Sequence, residues 1–176
     1  MSDTLITIIG IFLAAVLMFV FPLMTVSNTQ DDISQVAVQS LTSEFVNNAA
    51  TKGKITQDDY NTFLSKLYAT GNTYDVQLEH RIMTINPNKG QTDQLGENLY
   101  YSVYNSAIVD STDTGLNYND EYLMKKGDYI VATVKNTNTT IASQIKNFLY
   151  SLVGNDTYSI AASDSAPVTN TGNYSN

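Results

Sequence analysis

The composition is that of an acidic protein without cysteine. The 176 residues include 17 Asp and Glu against 9 Lys and Arg, which gives a formal net charge of -8 and a pI near 4.3. No basic stripe is present to neutralise phosphates, so nucleic acid is not an expected partner. The lack of Cys excludes disulfides, thiolate metal sites and Cys nucleophiles.

The segment Leu5–Val26 is apolar and carries no charge over its whole length. As a helix it would extend about 33 Å, enough to cross the hydrocarbon core of a bilayer. The only charged side chain in the short tail 1–4 before it is Asp3, which is unlike the basic start of a cleaved secretory signal. We therefore predict a retained transmembrane helix over 5–26, with the lipid bilayer as a partner.

The charges near this segment favour one membrane orientation weakly. The first basic residue, Lys52, is far from either end of the span, so the usual charge rule gives no direction. Acidic Asp31 and Asp32 follow the span, and most of the chain lies C-terminal to it. We predict a single-pass protein of the cell membrane whose C-terminal domain is extracytoplasmic, either alone or within a surface filament.

Small side chains recur on one side of the apolar helix at Thr7, Gly10 and Ala14. This spacing lets another helix approach closely, so the three residues are candidates for helix packing; the alternative is an ordinary lipid-facing helix. Pro22 completes the candidate set. It lacks the N–H that would bond to the carbonyl of Met18, and it is expected to bend the helix at the lipid boundary.

The pattern then continues as an amphipathic helix over 27–53, which ends at Gly53. If the chain does not break at Ser27–Asn28, the two segments form one helix of about 45 residues, or about 70 Å. A second helix is predicted to begin at a capping box, Thr56–Asp59, and to end at Gly71.

Further elements follow from alternation and turn residues. A strand is predicted over Tyr74–Ile82, followed by a turn at Asn86–Gly90. The stretch Leu99–Val109 fits a strand or a short helix, and the helix is favoured. The last predicted elements are a strand over Tyr129–Lys135, a helix from Thr139 or Thr140 to Gly154, a strand over Tyr158–Ala162 and a disordered polar tail over 163–176.

These elements predict an α+β fold. A long N-terminal transmembrane and amphipathic helix precedes a small extracytoplasmic α+β domain over 54–162. Within that domain we expect a sheet of three or four strands with helices on one face.

The sequence offers little catalytic chemistry. His80 is the sole histidine, and its strand position predicts a packed or rim residue rather than a general base. No nucleophile elbow, zinc-binding pair or phosphate loop is present. We therefore expect a protein that is not an enzyme.

One segment has partial resemblance to a 12-residue calcium loop. Asp110, Thr112, Thr114 and Glu121 occupy its positions 1, 3, 5 and 12, and a Gly stands at position 6. Thr at positions 3 and 5 departs from the usual carboxylate or amide ligands. The alternatives are therefore a calcium site and a polar surface loop, and no cofactor other than calcium is expected.

The order of elements resembles type IV pilin-like proteins: an apolar helix that becomes amphipathic, with Pro22 at the lipid boundary, and then a small α/β head. The stretches Phe45–Glu79 and Lys126–Asn136 resemble TadE-like pseudopilins of Tad-type pilus or type II secretion-like systems in Firmicutes. The resemblance implies a pseudopilin that packs with other pilin-like subunits or with itself, and that is used by a secretion ATPase and a platform protein. Leu5 stands where prepilins carry an acidic residue.

Two functional hypotheses follow from different classes. The favoured one is a pilin-like structural subunit of a pilus or secretion assembly, which requires a continuous N-terminal helix. The alternative is a single-pass membrane-anchored extracytoplasmic binding or sensor domain, which predicts a ligand pocket and a flexible break at Ser27–Asn28.

Overall fold

The computed structural model describes residues 2–84, 99–104, 108, 121–138, 144 and 161–173. They form an α+β protein in which a long apolar N-terminal helix precedes small antiparallel sheets. The α+β class and the long N-terminal helix agree with the sequence prediction. The elements are α1 (Ser2–Lys52), β1 (Lys54–Thr56), α2 (Gln57–Tyr68), β2 (Tyr74–Thr84), β3 (Leu99–Tyr104), β4 (Glu121–Leu123), β5 (Tyr129–Asn136) and β6 (Ala161–Pro167).

The chain divides into two compact units. The first contains residues 1–35 and 139–160, and the second contains residues 36–138 and 161–176. The described part of the first unit is the N-terminal part of α1 together with Gln144. The second unit contains the end of α1 together with α2 and strands β1 to β6.

Helix α1 is helical at every residue from Ser2 to Lys52, through Pro22 and through Ser27–Asn28. The chain does not break at Ser27–Asn28, so the two predicted segments form one continuous helix. After Pro22, hydroxyls bond back along the helix: Thr25 Oγ1 donates to the carbonyl of Phe21 at 3.0 Å, and Thr29 Oγ1 donates to the carbonyl of Thr25 at 3.0 Å. Each bond gives a backbone carbonyl near Pro22 a side-chain donor from the next turn of the helix.

In the second unit, local signals set the ends of the helices. Gly53 has a φ of 68° and follows the last helical residue of α1, Lys52. The side chain of Thr56 accepts the backbone N–H of Asp59 at 3.0 Å, which confirms the predicted cap of α2. Helix α2 ends at Tyr68, shortly before Gly71, whose φ is 85°.

Four strands form an antiparallel sheet in the order β3-β2-β5-β6, and β1 pairs with β4 in a separate two-stranded sheet. The register places Leu78 opposite Ala132 and His80 opposite Ile130. These residues belong to the buried inner face of the sheet. Ser43 of α1 donates a hydrogen bond to Asp164 of β6, which places the end of α1 on that inner face.

The opposite side of the sheet is called the outer face, and its side chains are mostly exposed or half-buried. The residues of this face whose side chains are described are Asp75, Gln77, Glu79, Arg81 and Met83 on β2, Ser102 and Tyr104 on β3, Tyr129, Val131, Thr133 and Lys135 on β5, and Ala161, Ser163, Ser165 and Pro167 on β6.

The core of the second unit is apolar and tightly enclosed. The ring of Phe45 on α1 stacks on Phe63 of α2, with centroids 4.4 Å apart, and meets Tyr60 edge-on. Fully buried side chains from α1, α2 and the strands complete it: Val38, Val46, Leu67, Leu78, Ile130 and Val134. Burial of such side chains is the main favourable contribution to folding.

The structure corrects two predicted elements. Leu99–Tyr104 is a strand rather than a helix, because its backbone pairs with β2 along its whole length. Ile108, the one described residue of 105–120, is helical and buried. The last described strand, Ala161–Pro167, extends beyond the predicted Tyr158–Ala162, whose residues 158–160 lie outside the described residues. The start of the predicted disordered tail 163–176 is therefore ordered by pairing with β5.

Two predicted elements lie outside the described residues. The turn at Asn86–Gly90 is one, and the helix from Thr139 or Thr140 to Gly154 is the other, apart from Gln144, which is helical. Strands β1 and β4 were not predicted.

Candidate functional site

In the part of the chain that the structure describes, the most apolar exposed surface is the N-terminal part of α1. Among the described residues one helix, Thr4–Lys52, is long and apolar enough to cross a membrane, and none of its most apolar window is buried. Phe12 and Met18 are 70% and 76% exposed. An exposed apolar surface of this extent requires either lipid or protein to cover it.

The four candidate packing residues all lie on this part of α1. Thr7, Gly10, Ala14 and Pro22 are exposed there. A Cβ atom placed on Gly10 would meet nothing within 4 Å, so the position is open to a neighbouring helix. Packing by these residues against another subunit stays a prediction.

The candidate calcium loop is described only at its last residue. Asp110, Thr112 and Thr114 lie outside the described residues. Glu121 begins β4, where its Oε1 accepts from Nζ of Lys54 on β1 at 2.9 Å, and its side chain is 6% exposed. The described residues contain no group of three or more His, Asp or Glu side chains that could hold a metal ion.

His80 lies at the centre of a buried polar network. Its Nε2 lies 3.0 Å from Oδ2 of Asp128, and its Nδ1 lies 2.7 Å from the hydroxyl of Tyr122. The same carboxylate accepts the backbone N–H of Lys125 and that of Met83, both at 2.9 Å. An ionised carboxylate only accepts, so His80 Nε2 donates to Asp128, and Nδ1 accepts from Tyr122.

The electrostatics of this network favour a neutral imidazole. Burial lowers the pKa of His80, and the hydrogen bond and charge of Asp128 offset this only in part. Burial also raises the pKa of Tyr122 to about 12, with the charge of Asp128 contributing. His80 is 2% exposed, so the prediction of a packed residue is confirmed. His80 is therefore a buried neutral histidine, and both of its ring nitrogens form hydrogen bonds. These bonds connect the four-stranded sheet to β4 and to the turn between β4 and β5.

No sequence pattern identified Asp128 or Tyr122 as partners of His80. The local signal for Asp128 was its position after Gly127 in the turn before β5, where Asp commonly bonds to nearby backbone N–H groups. Its bond to Lys125 N–H is such a contact. The side-chain contacts with His80 span more than 40 residues and have no local signal.

A groove of about 290 Å³ lies between α1 and α2 in the second unit. Its lining includes the apolar residues Leu41, Phe45, Ala49, Ile55 and Phe63. Two exposed ion pairs also join α1 to α2, one between Glu44 and Lys66 at 2.9 Å and the other between Lys52 and Asp59 at 2.8 Å.

Comparisons of the chain with protein-family models, with curated proteins and with solved structures found no match.

Proposed function

We propose that this chain is a pilin-like or pseudopilin structural subunit of a membrane-associated pilus or secretion assembly, and that it packs with other subunits through α1. The observation that carries the proposal is the double character of that one helix. Its first part exposes apolar side chains, and its last part supplies core residues of a folded α+β unit.

The exposed part of α1 suits both lipid and helix packing. Its apolar window has the length and composition of a membrane span. In lipid, association of helices depends on close backbone approach, which small residues allow. The open position at Gly10, with Thr7 and Ala14 on the same side, supports this mode of packing.

The last part of α1 belongs to the core of the second unit. Val38 and Val46 are fully buried, and Phe45 stacks on Phe63 of α2. The uninterrupted helix through Ser27–Asn28 supports a structural subunit more than a domain on a flexible tether.

The alternative is a single-pass membrane-anchored extracytoplasmic binding or sensor domain. The groove between α1 and α2 is the observation that favours it. In that case α1 is an anchor only, and its small-residue side faces lipid.

Cysteine cross-linking distinguishes the two functions, because the chain has no native Cys. Gly10→Cys probes the small-residue side of α1, and Phe12→Cys is the matched control, about 160° away around the helix at 100° per residue. Both variants are expressed as full chains in membranes of the source cells and oxidised. We expect a disulfide-linked dimer for Gly10→Cys and much less for Phe12→Cys. Equal cross-linking at both positions, or none at either, would favour the anchored binding domain.

Isolation of surface appendages supplies the cellular test. We expect mass spectrometry of sheared filaments or purified secretion complexes to identify this chain, and deletion of the secretion ATPase to remove it from them. A protein found only as a dispersed membrane species would contradict the proposal.

A further inference from the structure

Among the side chains that the structure describes, the outer face of the four-stranded sheet carries two exposed aromatic rings. Tyr104 on β3 is 62% exposed, and Tyr129 on β5 is 39% exposed. Both side chains lie on the side of the sheet opposite to the end of α1. Exposed tyrosines on a strand surface can stack their rings against a ligand.

The register fixes how these two rings are placed. Tyr104 lies opposite Glu79 of β2, and Tyr129 lies opposite Arg81, two residues further along the same strand. The two tyrosines are thus two strand spacings apart across the sheet and two residues apart along it, which separates their Cα atoms by about 12 Å. That separation is comparable to the length of a disaccharide.

A planar polar group occupies the space between the two tyrosines. Arg81 Nε and Nη2 donate to the two carboxylate oxygens of Glu79, at 2.9 and 3.2 Å. Ser102 Oγ donates to Glu79 Oε1 at 2.6 Å. The Arg81 side chain is 50% exposed and that of Glu79 is 21% exposed, so N–H donors and carboxylate lone pairs both reach solvent.

The charges of the outer face balance, unlike those of the chain as a whole. Its described residues carry two acidic groups, Asp75 and Glu79, and two basic groups, Arg81 and Lys135. The full chain has a net charge of -8. A balanced surface neither attracts an anionic polymer nor repels it strongly, so an uncharged ligand fits it best.

We propose that the outer face of this sheet is a binding surface for an uncharged, ribbon-like polysaccharide. The rings of Tyr104 and Tyr129 stack on the C–H faces of two sugar rings, and Glu79, Arg81 and Ser102 hydrogen-bond to the hydroxyls between them. Two tyrosines whose Cα atoms are about 12 Å apart match an extended chain of β-linked pyranose rings. This inference stands apart from the assembly role of α1, because none of its residues lies on that helix.

The test is a binding assay with insoluble polysaccharides. The full chain is kept in a polyoxyethylene detergent, because maltoside headgroups are themselves sugars. It is mixed with microcrystalline cellulose and with chitin, and the bound fraction is measured at low and high salt. We expect binding to at least one of these polymers, unchanged by salt because no net charge is involved.

Three variants identify the surface. The double variant Tyr104→Ala/Tyr129→Ala is expected to raise the dissociation constant by at least roughly tenfold, because both stacking contacts are lost. Tyr68→Ala is the matched control, since Tyr68 is 51% exposed on α2, away from the sheet face, and it should bind as the unmodified chain does. Tyr104→Phe/Tyr129→Phe keeps both rings and should retain most of the binding. Circular dichroism confirms that each variant is folded.

Several results would overturn the proposal. The first is that the unmodified chain binds neither polymer. The second is that Tyr68→Ala loses as much binding as the double tyrosine variant. The third is that high salt abolishes binding. Loss of self-association in the double tyrosine variant, without polysaccharide binding by the unmodified chain, would instead assign the outer face to contact with a second copy.

Discussion

The imidazole of His80 and the carboxylate of Asp128 are joined by a 3.0 Å hydrogen bond, and each side chain is 3% exposed. Because Asp128 also accepts backbone N–H groups from Met83 and Lys125, this contact fixes strand β2 to the turn that precedes β5. The stability of the second unit should therefore depend on the protonation state of a single histidine.

The first prediction concerns pH. Burial lowers the pKa of folded His80 below its usual value of 6.5, so from about pH 6.5 downward the unfolded chain binds a proton that the folded chain does not. The free energy of unfolding should be constant with respect to this group above pH 7. It should fall as pH decreases from 6.5 to the folded pKa, with a slope of at most about 1.4 kcal/mol per pH unit.

Thermal unfolding of the full chain in detergent at pH 5 to 8 measures this dependence. His80→Gln is the control: it should be less stable at pH 7 but should lose most of the slope between pH 5 and 6.5. A slope that is the same in both proteins would assign the pH dependence to other groups.

The second prediction concerns Tyr122. Removing its hydroxyl with Tyr122→Phe leaves Nδ1 of buried His80 without the donor that it has at 2.7 Å. The loss should lower the free energy of unfolding by about 1–3 kcal/mol, as for other buried polar atoms left unsatisfied. Tyr68→Phe, at an exposed position, should change it by less than about 0.5 kcal/mol. Equal stability of the two variants would contradict the hydrogen-bond assignment.

The same tyrosine can be followed by absorbance. With a pKa raised to about 12, Tyr122 should ionise after tyrosines of ordinary pKa near 10. The difference between the ultraviolet titrations of the unmodified chain and of Tyr122→Phe isolates its transition.

The third prediction concerns calcium. Glu121 would supply the bidentate ligand of a calcium loop, yet its buried carboxylate bonds to Lys54 at 2.9 Å. Calcium at millimolar concentration should therefore leave the unfolding midpoint unchanged, whereas a site at one hundred times its dissociation constant would add about 2.7 kcal/mol. Glu121→Gln should reduce stability equally in calcium and in EDTA. A midpoint raised by calcium in the unmodified chain only would establish the site.

The sequence correctly predicted those elements that depend on residues close together in the chain. The cap at Thr56 needs only Asp59, three residues away, and the alternation of β2 follows from its own side chains. The strand β3 was wrongly predicted as a helix because Leu99–Val109 fits both periods, and its pairing with β2 decides between them.

Contacts distant in sequence account for the other missed features. Strand β6 has the sequence AASDSAP, which is poor in β-branched and aromatic residues, and its extended form depends on pairing with β5. The β1–β4 pair joins residues 54–56 to residues 121–123. The partners of His80 likewise come from far along the chain, so the sequence placed this residue in the core without identifying its network.

The segment 168–173 packs against the end of α1, and the last prediction concerns its contribution to stability. Thr169 N–H donates to the carbonyl of Ala50 at 3.0 Å, and Gly172 N–H donates to the carbonyl of Met124 at 2.9 Å. The segment passes so close to Gly53 that a Cβ atom there would lie 2.7 Å from the backbone nitrogen of Gly172. A side chain at Gly53 would therefore displace backbone rather than a flexible side chain.

Gly53→Ala and Gly71→Ala form a matched pair, because both glycines have a positive φ, 68° and 85°, and only Gly53 has backbone within reach of a Cβ atom. Gly71→Ala should lower the free energy of unfolding by about 1–2 kcal/mol, because alanine is disfavoured in the left-handed conformation. Gly53→Ala should lower it by that amount and also weaken the hydrogen bonds of segment 168–173. Its loss of unfolding free energy should therefore be at least about 1 kcal/mol greater. Chemical denaturation gives both values, and limited proteolysis should cut the C-terminal segment faster in Gly53→Ala alone. Equal losses and equal cleavage would show that segment 168–173 does not hold the end of α1, because the crowding at Gly53 is the one difference between the two sites on which the prediction rests.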